Sequence, residues 1–252
     1  MRRYTRQQDQ GIVHSTTALT LWLLLILAAA LPAEAQNEPE YRMEIGGGVG
    51  MMAYTGDLNG SPFKNMQPMG ALVAKYKKNP RMAWALNVGY GQVKGSSAKA
   101  EGWLPDLTEK TADFKSSVVD VQIRYEYNFW PFGTGREYYG AKPLTPFITL
   151  GIGAAVSSAK LTQTGGEQTS QGGTGLQMPI GAGVKYKLGN RLNLTAEWVM
   201  HFTTNDKIDA VEDPYGIKRQ GIFKNTDGYS TLQLSLTYDL WERCRTCHND
   251  KD

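Results

Sequence analysis

In the run Val119-Asp120-Val121-Gln122-Ile123-Arg124-Tyr125-Glu126-Tyr127-Asn128-Phe129, every odd position is apolar or aromatic and every even one is polar. A period of two belongs to a strand with one dry face, and no helix sorts residues this way. The same alternation runs through Tyr41–Ala53, Met82–Tyr90, Pro146–Val156, Leu176–Leu188, Leu192–Phe202 and Leu232–Leu240, and more weakly through Gly70–Lys77. Eight strands are predicted, in an all-β antiparallel fold.

Alternation alone does not say which face is inside. The polar face is unlike a water-facing surface: it carries Gly46, Gly48, Gly50, Gly89, Gly91, Gly151, Gly153, Gly181 and Gly183 among Thr, Ser, Asn and Gln. Glycine weakens a strand for nothing on a solvated face, whereas small residues suit the cramped interior of an eight-stranded barrel. The apolar face gathers aromatics towards strand ends, namely Tyr41, Tyr90, Tyr127, Phe129, Trp198, Phe202 and Tyr238, with Trp241 close by. Such rings form the interfacial girdles of outer-membrane barrels. The predicted fold is therefore an eight-stranded transmembrane β-barrel of the bacterial cell outer membrane, in contact with its lipids. The rival reading is a secreted lipocalin-like binding barrel.

Export fits this. Arg2, Arg3 and Arg6 precede an apolar run from Leu21 to Leu31, which ends at Pro32 and Ala33-Glu34-Ala35. That is the layout of a secretory signal peptide, with cleavage expected after Ala35. The run is shorter than the roughly 20 apolar residues a membrane-spanning helix needs. The expected organisation is a signal peptide over 1–35, a barrel over 36–241 and a periplasmic tail over 242–252. With 27 Lys and Arg against 24 Asp and Glu, a formal charge of +3, the chain lacks the concentrated positive charge of a nucleic-acid binder.

Connection lengths orient the barrel. Joins after strands two, four and six read as Lys78–Arg81, Pro131–Leu144 and Gly189-Asn190; those after one, three, five and seven read as Thr55–Pro68, Lys94–Lys115, Lys160–Gly175 and Thr203–Asp227. Short turns face the periplasm in outer-membrane barrels, so both termini do as well. Pro131–Leu144 is long for a periplasmic turn, and loops on rigid scaffolds carry function. Pro131, Phe132, Arg136, Tyr138 and Tyr139 are the residues it would offer to a docking partner.

By parity Arg42, Glu44, Lys75, Asp120, Arg124, Glu126, Lys185 and Glu197 point inward, four basic and four acidic. Balanced charge in a narrow lumen pairs off and plugs it, which favours a closed scaffold over a pore.

Few motifs carry chemistry. Gly46-Gly47-Gly48 and Gly165-Gly166 lack the Gly-Lys-Ser/Thr and the strand–loop–helix context of a phosphate loop, and neither Gly-x-Ser-x-Gly nor His-Glu-x-x-His occurs. His201 faces inward near the outer end of strand seven, on the face of Glu197 and close to Asp206 and Asp209. An outer-leaflet lipid-modifying enzyme built on it is the alternative function; a hydrogen-bonding lumen filler is the plain one. Cys244-Arg245-Thr246-Cys247-His248 matches the c-type haem attachment string, but no helical domain or second axial ligand accompanies it, and a zinc site lacks a fourth ligand. In an oxidising periplasm Cys244 and Cys247 are expected to form a disulfide, with each other or with a partner. No cofactor is expected.

Tyr54-Thr55-Gly56-Asp57-Leu58, the turn Pro131-Phe132-Gly133-Thr134-Gly135-Arg136-Glu137-Tyr138-Tyr139-Gly140, and Thr145-Pro146-Phe147 leading into Gly151-Ile152-Gly153 resemble an outer-membrane barrel family that includes the PorG component of the type IX secretion system. Tyr54, Gly56 and Asp57 are the family-like motif after strand one. The resemblance implies an eight-stranded barrel that contacts periplasmic secretion-complex subunits, a ring of lipoprotein and partner, and it supplies no catalytic residues. The function expected is thus non-enzymatic: an anchor or assembly component of a secretion complex.

Overall fold

The computed structural model describes residues 39–55, 63–96, 112–135, 141–163, 168–204 and 228–242. They form β1 (Tyr41–Thr55), β2 (Gln67–Asn79), β3 (Met82–Ser96), β4 (Ala112–Asn128), β5 (Leu144–Gln163), β6 (Gln168–Lys187), β7 (Leu192–Thr203) and β8 (Gly228–Glu242). Each strand pairs antiparallel with the next, and β1 closes on β8 from Tyr41↔Glu242 to Thr55↔Gly228, giving a closed eight-stranded barrel. The predicted fold class is the observed one. β8 reaches Glu242, one residue past the expected barrel limit.

Burial is inverted relative to a water-soluble barrel. Arg124 is 1% exposed in the lumen, while Ile152 is 73% exposed on the outside, with Leu72, Leu150, Leu234 and Leu236 in the same belt. A closed sheet that turns hydrocarbon outwards and satisfies its backbone ladder internally is built for lipid. This is an outer-membrane-type barrel, and the lipocalin-like alternative, which needs a polar exterior, falls.

Several strands run further than their apolar alternation. The join after β5 is 164–167 rather than Lys160–Gly175, and β3 and β4 extend into the segment read as the loop Lys94–Lys115. Above the lipid the outer face no longer has to be apolar, so the sequence period fades while the hydrogen-bonded ladder continues. At the other end the alternation breaks. Trp241 takes a left-handed backbone (φ 57°) and is exposed, Tyr41 is buried rather than standing in the girdle, and Arg42 is half-buried.

The lumenal glycines are needed for a sharper reason than size. A Cβ on Gly181 would sit 2.5 Å from the Trp198 carbonyl oxygen, and one on Gly153 2.5 Å from that of Val121. The neighbouring backbone itself occupies the space, because closing so few strands forces strong coiling.

Candidate functional site at the periplasmic mouth

The lumen is filled in tiers. At the end bearing the short turns, Lys77 lies between Asp239 (2.5 Å) and Glu44 (3.1 Å), and Lys187 pairs with Asp239 from the other side. Thr237 donates its hydroxyl to Glu44. Above this, Glu126 holds both Lys185 (2.5 Å) and Lys75 (3.3 Å), whose ammonium groups lie 4.5 and 5.8 Å from the Phe147 ring centre. Next comes Arg124 with Glu197 (2.9 Å). Lys77, Lys187 and Asp239 escaped the sequence reading, although they share strand parity with Lys75, Lys185 and the other inward residues. With them, and leaving aside the half-buried Arg42, these lumenal charges are five basic against five acidic, still balanced. Nine of these ten are ion-paired, and Asp120 instead accepts hydrogen bonds from the Tyr229 hydroxyl and the Gln122 amide, so each charge has a partner where water is scarce, the condition under which buried charge is tolerated.

The outer half of the lumen departs from the polar interior expected. Met52, Tyr54, Met69, Val93, Phe114 and Val118 pack there, with Tyr54 edge-on to Phe114 at 4.9 Å. Tyr229 joins the two halves: its ring lies in the apolar layer, and its hydroxyl donates to Asp120 (2.8 Å). His201 stacks flat on Tyr229 (4.2 Å between ring centres), with Nε2 3.1 Å from the Thr231 hydroxyl. It is 1% exposed. Among the described residues no group of three or more His, Cys, Asp or Glu is placed to hold a metal ion.

The long β4–β5 turn closes the lower end. Phe132 is buried, with its ring centre 5.8 Å from the Lys77 ammonium and 5.9 Å from that of Lys187, so its π face lies against two lumenal cations. Its N–H donates to Pro80 in the β2–β3 turn (3.0 Å), and Lys142 N–H donates to Pro131 C=O (2.6 Å), pinning both ends of the turn. Thr134 donates from its backbone and its hydroxyl to Glu40, just before β1. Gly133 fits where a Cβ would meet Ala141 at 2.7 Å and the Glu40 carboxylate at 2.9 Å.

This alters the turn as read from sequence. Phe132 serves as a stopper and presents no surface to a partner; Pro131 is half-buried beside it. Arg136, Tyr138 and Tyr139 lie outside the described residues, as do Gly56, Asp57, Cys244, Cys247 and the segment 1–38. Tyr54, the described member of the family-like motif, is an inward apolar side chain of the outer half.

The barrel is similar in fold to Neisserial surface protein A, at 15% identity over 79% of this chain and 97% of that one, with a TM-score of 0.46. Similarity extends to Ail, the attachment invasion locus protein of Yersinia pestis, solved with the heparin analogue sucrose octasulfate (13% identity, 79% and 99% coverage, TM-score 0.42). It extends also to the outer-membrane enzyme PagL (14% identity, 78% and 99% coverage, TM-score 0.33). The barrel assignment stands on the register and the inverted burial of this chain. No curated protein matches the sequence. A family model described as a domain of unknown function, DUF6089, matches residues 18–249, and the chain belongs to that family.

Proposed function

We propose that this protein is a non-conducting, non-enzymatic barrel that anchors a periplasm-spanning protein secretion complex in the outer membrane, as the resemblance to the type IX family implies. The observation that carries the reading is the β4–β5 turn folded over the mouth and tied to Glu40. A pore has no use for a stopper pinned at both ends above a lumen of neutralised ion pairs. An anchor gains from one, because both described ends of the turn, at Phe132–Thr134 and at Lys142, are tied to the barrel. Residues 136–140 between those ends, with the cysteine-bearing tail as a second element, are the segments proposed to meet lipoprotein-ring subunits.

The test is co-purification from detergent-solubilised outer membranes. Replacing residues 136–140 with Gly and Ser leaves Phe132 and Lys142 in place and is expected to release periplasmic partners; Cys244→Ser with Cys247→Ser reports on the tail. Unchanged partners in both variants refute the docking surface. The non-enzymatic part is tested by lipid profiling of a His201→Ala strain, where an altered profile refutes it.

A further inference from the structure

Four residues with outward parity lie side by side across the lipid wall. Trp198 on β7 is paired with Leu232 on β8, Leu232 with Met51 on β1, and Met51 with Pro68 on β2. All four are exposed, and on β1 and β8 the row continues into the exposed Val49 and Leu234. At a strand spacing of about 4.8 Å, Pro68 and Trp198 stand about 14 Å apart.

The chain entering β2 bridges that gap. Phe63, four residues before the start of the strand, stacks on Trp198 with ring centres 5.7 Å apart and planes inclined by 28°. Trp198 points into the lipid belt, so the Phe63 ring lies on the outside of the wall as well. To reach it, the segment Phe63–Met66 crosses the outer faces of β1 and β8. The bend that allows this has a local cause. Asn65 takes a left-handed backbone (φ 59°), which asparagine tolerates better than most residues. The Gln67 side-chain amide then donates to the carbonyls of Asn65 (3.3 Å) and Met66 (2.9 Å), fixing the turn against β2.

The wall itself records the crossing. Ala53 and Ser230, paired with each other one step towards the outer end, share the outward parity of Met51 and Leu232. Both are completely buried, where a bare lipid-facing position would be exposed. Phe63, by contrast, is 57% exposed. An aromatic ring left this open is unfavourable in water and at home in hydrocarbon.

We infer that Phe63–Met66 is a strap lodged in the outer leaflet, where Phe63, Trp198, Met51 and Leu232 form one surface for the hydrocarbon chains of lipid. The occupant follows from continuity, because the patch runs unbroken into the apolar belt that turns hydrocarbon outwards along the rest of the barrel. Lys64, exposed beside Phe63, has a stem long enough to keep its ammonium at the headgroups. The entry to β2 thus belongs to the membrane, and the hydrocarbon boundary on this side reaches at least to the Phe63–Trp198 pair. The strap lies on the outer face and stands independently of the periplasmic reading.

The experiment uses the full barrel in phospholipid nanodiscs, with para-fluorophenylalanine placed singly at Phe63, in place of Ile152 as a lipid-facing reference, and at Phe147 as a lumenal one. The ring at position 63 is thereby kept. Fluorine NMR line widths are followed on adding phospholipid spin-labelled on its acyl chain and, separately, a water-soluble gadolinium chelate. The acyl-chain label is expected to broaden the line from position 63 at least twofold, as at position 152, and the chelate to leave both unchanged. Broadening by the chelate at position 63 places the ring in water, and broadening by neither reagent, as expected at Phe147, places it under protein; either result overturns the inference.

Discussion

The backbone N–H and the hydroxyl of Thr134 both reach the carboxylate of Glu40, at 3.1 and 2.8 Å, and so fasten the β4–β5 turn to the chain entering β1. Hydrogen bonds to a charged acceptor contribute about 1.5–3 kcal/mol. Glu40→Ala should therefore raise local opening of the turn by roughly ten- to a hundredfold while leaving the strands intact. Faster exchange of the Gly133 amide, which donates to Lys142 C=O, with unchanged exchange in β1 and β8, is the expected reading.

The Arg124–Glu197 pair gives a second prediction. Removing one partner of a buried pair strands the other, at a cost of about 3–5 kcal/mol, whereas replacing both with apolar residues of similar volume is often neutral. Glu197→Gln should destabilise the barrel strongly in urea titration, and Arg124→Met with Glu197→Leu should regain most of the loss. Equal losses in the single and double variants would show that the charges matter for something other than pairing.

Lipid contact is tested on β5. Ile152, in the middle of the exposed apolar row of that strand, should cost about 2–4 kcal/mol as Ile152→Arg, the penalty for a cation on the lipid face near the midplane. A water-facing surface would accept the same change at almost no cost.

The glycine face makes a steric claim. Gly181→Ala places a methyl 2.5 Å from the Trp198 carbonyl oxygen and 2.8 Å from Val199 Cγ2. No rotamer relieves a clash with backbone, so a loss of at least about 1–3 kcal/mol is expected, read as a lower midpoint in urea refolding. By contrast, Gly172→Ala meets its nearest neighbour at an ordinary 3.4 Å and should be silent.

How far the sequence carried depended on where lipid acts. Val121, Ile123, Leu150 and Ile152 alternate because hydrocarbon selects one face, and that sufficed for the strand count, the closure and the direction in which Glu44, Lys75 and Arg124 point. Outside the lipid that selection ends. Leu161 and Thr174 belong to strands, yet nothing in their surroundings imposes a period, so they read as loop. Val93 and Phe114 were hidden for the same reason, and with them the apolar filling of the outer half. The stopper was the harder case. Phe132 stands in a turn rich in aromatics and glycine that reads equally well as a docking loop, and only its placement beneath Lys77 and Lys187 separates the two roles. Lys77, Lys187 and Asp239, by comparison, were legible by parity at the strand ends.

A closed barrel is the premise of every functional statement made for this protein, and single-channel recording in planar bilayers tests it most directly. The purified full chain, with Phe132 seated over Lys77 and Lys187 and the ion pairs stacked above, is predicted to insert without conductance steps. Stable, ohmic openings of the unmodified protein would contradict it.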